Sequence, residues 1–330
     1  MAVKRAEQSD EIVVRMVEET GKPQTAVRVR WNMNTDTPLP PDVAAGQNPP
    51  DGAILNYYLK SNANGPVTLE VKDAPGNVIR RYSSTDPAPQ PDPMLEIPRY
   101  WLRPPQLLSS EAGLHRFIWD MHLAPLPGIR ATYPIAAIAH NTPPDATSPW
   151  AMTGTYTLVL TANGKSYSQP LKITMDPRVR TPAADLQQQF QLSKQLYDSA
   201  WKLSLAINQA TALRAQLKDR KQRAGEVIAG AAIEAFAKQL DVVAGEGGGR
   251  RGRGGPQTDS LASVRGSLLT LMGILQDADV APTAQSVAAI AEIEKKVPVA
   301  LGAWDSFQKQ DLAAFNQQLR SANIEEVKID

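Results

Sequence analysis

Two histidines and an aspartate lie within eight positions of this sequence, and such side chains could bind a metal ion. His115, Asp120 and His122 offer two imidazoles and a carboxylate, which are ligands that zinc and similar metals accept. The stretch alternates like a β-strand, in which successive side chains lie on opposite faces. His115 would then face away from Asp120 and His122. We therefore expect structural histidines, and we assign no metal and no cofactor.

Acidic residues could act in pairs, since glycoside hydrolysis requires two carboxylates on either side of the scissile bond. The acids of the N-terminal half stand in no diagnostic motif, and isolated acids are usually hydrated surface groups. The sequence also lacks nucleophile-elbow, phosphate-loop and dinucleotide-binding patterns. We therefore nominate no catalytic residue. The acids considered are Glu70, Asp73, Glu96, Glu111, Asp120 and Asp145.

Three arginines among glycines, Arg250, Arg251 and Arg253, resemble a short RNA-binding segment. No aromatic residue is interleaved with them, and such connectors more often provide solubility. The chain has 35 basic and 34 acidic residues, so no overall charge attracts nucleic acid or anionic membranes. We do not expect nucleic-acid binding, which a steep salt dependence would reveal.

Aromatic side chains in proline-rich loops are the remaining candidates. Large amphipathic rings stack on sugars and are frequent at protein interfaces. Tyr100, Trp101 and Trp150 occupy such loops, whereas Trp119 follows the alternation of a core strand. We predict that these three loop aromatics form a contact surface for a protein or a carbohydrate.

The elements that position these residues follow from periodicity. Short alternating runs separated by polar turns predict an immunoglobulin-like antiparallel β-sandwich at residues 26–176, after an N-terminal strand or extension at residues 1–25. The pair Asn163-Gly164 predicts a type I′ hairpin turn.

At Asp176 the periodicity changes to 3.6 residues, which predicts an antiparallel helical bundle at residues 177–330. The first helix should run from Pro182 past Arg220, and Pro298 should kink or break a later one. A glycine- and arginine-rich linker is expected at residues 245–256.

Composition limits the class of protein further. The 330 residues contain no cysteine, which excludes disulfides, zinc–thiolate sites and cysteine nucleophiles. The sequence has no apolar run long enough to cross a membrane and no signal peptide at its N-terminus. We expect no membrane association, and the compartment stays open.

Several motifs nevertheless resemble one family. The run from Asn34 to Asp42 and the run from Asn48 to Leu59 are similar to the region that follows the repeats of bacterial sortilin-like propeller proteins. Those proteins carry WD40/YVTN/BNR-like repeats and are often labelled glycosyl hydrolases. Further matching motifs are residues 65–83, 115–120, 154–157 and 175–179. The resemblance spans residues 27–319 and implies a periplasmic or extracellular accessory region.

A shorter resemblance concerns the N-terminus. Residues 3–7 and 11–18, with Gly21 and Lys22, look like a C-terminal β-segment of retaining α-mannosidase-type glycoside hydrolases. Together the resemblances imply a non-catalytic structural or interaction module that packs against a β-propeller or another protein. The alternative is a glycoside hydrolase, or a carbohydrate-binding accessory part of one.

Overall fold

The computed structural model describes residues 24–28, 50–88, 91, 95, 97–135, 140–224, 229–245 and 259–329. Two compact units divide the chain: Met1–Pro125 with Arg130–Arg180, and Leu126–Ile129 with Thr181–Asp330. All the described strands lie in the first unit and the long helices in the second, so the protein is of the α+β class. Of the predicted N-terminal strand or extension at residues 1–25, only residues 24 and 25 are described, and the arginines of the predicted linker lie outside the described residues.

The first unit contains two sheets. Its strands are β1 (Gln24–Arg28), β2 (Ala53–Leu59), β3 (Thr68–Lys72), β4 (Val78–Ser83), β5 (Gly113–Trp119), β6 (Gly154–Ala162) and β7 (Lys165–Met175). One sheet has the order β1-β7-β6-β3-β4, and β2 pairs with β5 in the other. All pairs are antiparallel except β1 with β7, which is parallel. The predicted wholly antiparallel arrangement is therefore wrong at this edge, because no hairpin fixes the direction of strands so distant in sequence.

The two sheets of the first unit share one hydrophobic core. The alternation of buried and exposed side chains along the strands forms this core, since every second side chain of β2 and β6 is buried. The β6–β7 hairpin confirms the predicted turn, because Asn163 and Gly164 have φ angles of 50° and 73°, and a type I′ turn requires both to be positive. The largest core side chains here include Leu55, Trp119, Leu69, Leu158, Leu171 and Ile173.

The second unit is helical. Its elements are α1 (Ala183–Ala224), α2 (Ala229–Ala244), α3 (Leu261–Gln276), α4 (Ala284–Ser306), a π-helical turn (Phe307–Leu312) and α5 (Ala313–Ser321). The predicted first helix is confirmed. No break occurs at Pro298, because α4 continues through this residue as a helix. None of the described helices is long and apolar enough to cross a membrane.

Side-chain contacts fix the directions of these helices. On α1, Arg214 binds Asp241 of α2, and Gln189 donates to the carbonyl of Leu275 in α3. Further along α1, Lys221 binds Glu234, which lies earlier in α2 than Asp241. Ser204 likewise binds Arg265, which lies earlier in α3 than Leu275. Both α2 and α3 therefore run antiparallel to α1. Helix α4 runs parallel to α1, as two contacts with the same sequence offset show: Ser199 with Glu294, and Gln209 with Trp304.

Gly245 ends α2 and allows the start of α3 to approach. Its φ is +84°, and an added Cβ would lie 2.7 Å from Ala262 Cβ. Replacing Gly245 with alanine should cost about 1–3 kcal/mol of unfolding free energy, from backbone strain and the clash. The control is Gly266→Ala inside α3, where a Cβ meets nothing within 4 Å and should add about 0.5–1 kcal/mol of stability. Chemical denaturation followed by circular dichroism measures both, and equal effects would contradict this interpretation.

Glu294 carries a carboxylate into the contact between α4 and α1. Oε2 accepts a hydrogen bond from Ser199 Oγ (2.8 Å), whereas Oε1 is buried without a hydrogen-bond partner. Burial raises the pKa of this carboxyl, and Ser199 and Lys202 oppose the shift. A raised folded pKa gives stability at acidic pH that is lost as pH rises through it.

Glu294→Gln should therefore raise the melting temperature of the helical unit at neutral pH, because the amide removes the buried charge and still accepts the Ser199 bond. At about pH 4, where the carboxyl is protonated, the variant and the wild type should melt together. Glu292→Gln, on the same helix but paired with Lys295 at the surface, is the control. A gain that is independent of pH would show that charge burial is not the cause.

Candidate interaction site

Three segments of the β unit, residues 97–103, 120–124 and 140–151, bond to one another through their main chains, and we call them the loop layer. The first contains a 3₁₀ turn, the second directly follows β5, and the third lies before β6. The 97–103 and 120–124 segments each pair with the third. The bonds are Thr142 N to Trp101 O (2.9 Å), Arg103 N to Thr142 O (2.9 Å), His140 N to Tyr100 O (2.8 Å), Leu123 N to Pro149 O (3.0 Å) and Ala151 N to Met121 O (2.7 Å).

Side chains reinforce this pairing. Arg103 donates from Nε to Asn141 Oδ1 (2.9 Å) and lies 3.7 Å from the carboxylate of Asp51, which precedes β2. Ser148 donates to the carbonyl of Leu123 at 2.8 Å. Because main-chain and side-chain bonds join all three segments of the loop layer, its backbone has a defined conformation.

Tight turns in the loop layer place two bulky residues in the left-handed backbone region. Met121 and His140 have φ angles of 56° and 54°, a conformation that costs an ordinary side chain about 1–3 kcal/mol. Met121 is fully buried and His140 is exposed, so burial holds only the first in place. The bond from Ala151 N to the Met121 carbonyl and the bond from His140 N to the Tyr100 carbonyl help to offset this cost.

His122 lies at the centre of the loop layer and is buried. Its Nδ1 donates to the carbonyl of Asp120 (2.9 Å), and its backbone N–H donates to Asp120 Oδ1 (3.1 Å). The indole of Trp119 donates to the His122 carbonyl at 2.9 Å. These bonds fix the ring, which leaves Nε2 as its acceptor.

The pKa of His122 is lowered, mainly because burial disfavours the charged imidazolium. The carboxylates of Asp120 and Asp51 act against this shift, and the guanidinium of Arg80 adds to it. The ring is therefore neutral at physiological pH. Its environment is that of a structural residue whose protonation would disturb the loops around it.

The structure brings Tyr100 and Trp101 together but uses Trp150 differently. The Tyr100 and Trp101 rings are 6.2 Å apart in an edge contact, and Tyr100 is 43% exposed. The indole N–H of Trp101 is buried without an acceptor. The Trp150 ring lies 4.1 Å from the His122 ring at an interplanar angle of 43° and packs against the sheet core, so it supports the loops from within.

The other chemistry-bearing residues have structural partners. His115 contacts the carbonyl of Glu111 through Nε2 (2.7 Å) and the ring of Tyr57 (5.1 Å). Glu70 pairs with Lys72 at 3.1 Å, and Asp73 accepts from the turn residue Asn77 at 2.7 Å. Across the described ranges, no three His, Asp or Glu side chains form a group that could hold a metal ion. Glu96 lies outside those ranges.

Sequence reasoning missed the parts of this site that depend on backbone pairing. Met121 is not a residue type that signals a left-handed conformation, unlike Asn163. The ion pair of Arg103 with Asp51 joins loops that are distant in sequence, so local pattern could not reveal it. The alternation predicted a strand through His122, which is wrong at its end, since β5 ends at Trp119 and Met121 has a left-handed backbone.

No protein-family model matches this sequence, and no curated protein matches it. The interpretation of the loop layer therefore depends on its geometry.

A test of the loop layer follows from the His122 environment. A histidine with a lowered pKa gives stability at neutral pH that is lost as pH falls through its folded pKa. On acidification from about pH 7 to pH 5, the melting temperature of the β unit should fall more in the wild type than in His122→Gln. His115→Gln, at a partly exposed ring, should keep the wild-type profile. Parallel profiles for wild type and His122→Gln would exclude His122 as the titrating group.

Proposed function

We propose that this chain is a non-catalytic interaction module, the accessory region of a sortilin-like BNR-repeat propeller protein, built from an immunoglobulin-like sandwich and an antiparallel helical bundle. Support for the sandwich comes from two sheets that bury alternate side chains in one core. Support for the bundle comes from the helix directions, because α3 runs opposite to both α1 and α4.

The contact surface in this proposal consists of Tyr100 and Trp101. The observation that carries it is an exposed tyrosine ring beside a tryptophan on a loop whose main chain is paired with residues 140–142. A rigid aromatic pair loses little conformational entropy on binding, which is why such residues dominate interface energetics. The occupant we propose is a β-propeller, as the sequence resemblance implies, in the periplasm or outside the cell.

Carbohydrate binding is the second candidate, because an exposed tyrosine ring can also stack on a sugar ring. In that case the same two residues would bind oligosaccharides without the propeller. A glycoside hydrolase would require a carboxylate pair, and Glu70 and Asp73 are engaged in local bonds on β3 and its turn.

The proposal predicts that Tyr100→Ala and Trp101→Ala each weaken binding to an isolated sortilin-like β-propeller by about tenfold or more, as truncation of a central aromatic does. Titration calorimetry measures the affinity. Tyr58→Ala is the matched control, since Tyr58 is 39% exposed but lies on β2. If all three variants bind the propeller as the wild type does, the aromatic pair is not the contact surface.

An oligosaccharide array and a glycoside-hydrolysis assay on the same samples separate the alternatives. Sugar binding that is lost with Trp101→Ala would favour the carbohydrate candidate. Turnover would show that the chain is an enzyme.

A further inference from the structure

Residues 324–329 lie in a groove of the helical unit in the way that a bound peptide lies in its receptor. They follow α5 after a left-handed turn at Asn323, whose φ is 58°. Ile324 N donates to the Leu319 carbonyl (2.9 Å), and Asn323 N to that of Arg320 (3.0 Å), a pattern that ends a helix. Beyond this turn the segment has no regular secondary structure and meets α1 and α5.

Two amide side chains bind the main-chain N–H and carbonyl groups of two consecutive residues in this segment. Asn316 of α5 donates to the Val327 carbonyl (2.9 Å) and accepts from Val327 N (3.0 Å). Gln216 of α1 does the same to Lys328, with distances of 2.7 Å to its carbonyl and 2.8 Å from its N–H. Such paired bonds read main-chain atoms and hold an extended peptide whatever its side chains are.

Arg220 of α1 supplies a buried positive charge to the same segment. It is 8% exposed, and it donates to the carbonyls of Glu325 (3.0 Å) and Glu326 (3.4 Å). It also contacts the Glu325 carboxylate at 2.9 Å, and Asp219 on its own helix at 2.6 Å. Leaving this buried guanidinium without most of its partners would strongly destabilise the folded protein. The groove therefore requires an occupant.

Val327 fills the apolar part of the groove. It is 1% exposed and belongs to the helical core, with Ile324 and Ile329 partly buried on either side. At the rim, Arg320 binds the Glu326 carboxylate at 2.8 Å. The groove therefore selects an acidic pair followed by a β-branched residue.

We propose that this groove, formed by Gln216, Arg220, Asn316 and Arg320, is a peptide-binding site. Its ligand is an extended segment of a partner protein that carries two acidic residues followed by valine or isoleucine. Residues 324–329 occupy the site in cis and compete with that partner. This site is separate from the loop layer and does not depend on its proposed role.

The cis segment determines how tightly a partner peptide must bind in order to displace it. Because it is tethered within a few residues of the groove, its effective concentration is on the order of millimolar. A weak partner peptide is therefore excluded, and a peptide that binds the groove more tightly, or is present at high local concentration, displaces the segment. The tethered segment makes the site selective.

The test uses the full chain and a fluorescein-labelled synthetic peptide of residues 323–330, Asn-Ile-Glu-Glu-Val-Lys-Ile-Asp. In the Val327→Asp chain the tethered segment no longer fits, so this variant should bind the peptide at least tenfold more tightly than the wild type, as measured by fluorescence anisotropy. Adding Gln216→Ala and Asn316→Ala to that chain should remove the binding. The control is a peptide with the same Val327→Asp change, which should not bind.

Circular dichroism checks that Val327→Asp keeps its helices, and a folded variant that does not bind the peptide overturns the proposal. Should that variant not fold, hydrogen exchange on the wild type decides. Excess unlabelled peptide should speed exchange of the Val327 and Lys328 amides, whereas unchanged exchange overturns displacement. A wild-type dimer with exchanged segments would assign the groove to a second copy and overturn a partner as its occupant.

Discussion

The length of α1 is the constraint on which the helical unit depends. A helix of 42 residues extends about 63 Å, and its own hydrogen bonds give little net stability in water. Its apolar stripe must be covered along the whole distance. Helix α3 covers the first half and α2 the second, while α4 covers another side. Residues 324–329 complete the cover near Gln216.

The same constraint explains where polar groups enter the helical core. Each covering helix brings buried side chains that must find partners. The amide N–H groups of Gln189 donate to carbonyls at the end of α3 and just beyond it, those of Leu275, Ala278 and Val280. Arg220 instead uses carbonyls of a segment that lies outside any helix. The first arrangement closes a helix end, and the second forms a binding groove.

Periodicity predicted the parts of the fold in which one face of an element is buried. The alternation of β2 and β6, the long stripe of α1 and the Asn163-Gly164 turn all follow local rules. The parallel pairing of β1 with β7 does not, because it joins strands that no short turn connects. The sequence pattern also assigned no role to residues 324–329, which mix three β-branched apolar residues with two glutamates and a lysine.

Of the three aromatics predicted as a contact surface, Tyr100 and Trp101 contact each other, and Trp150 contacts the His122 ring and packs against the sheet core. Proline-rich loops predict exposure only on average, and they cannot show that the Trp150 ring contacts the His122 ring. That contact depends on the bridge between the segment after β5 and the segment before β6. Long-range backbone pairing therefore decides which loop aromatics are available to a partner.

The most direct test of the central claim, that the loop layer is the docking surface for a propeller, is a hydrogen-exchange comparison of the full chain with and without an isolated sortilin-like β-propeller. The claim predicts slower exchange within residues 97–103 and 140–142, where the aromatic pair and its supporting loop lie. Protection confined to other parts of the chain, or no protection at saturating propeller, would contradict it.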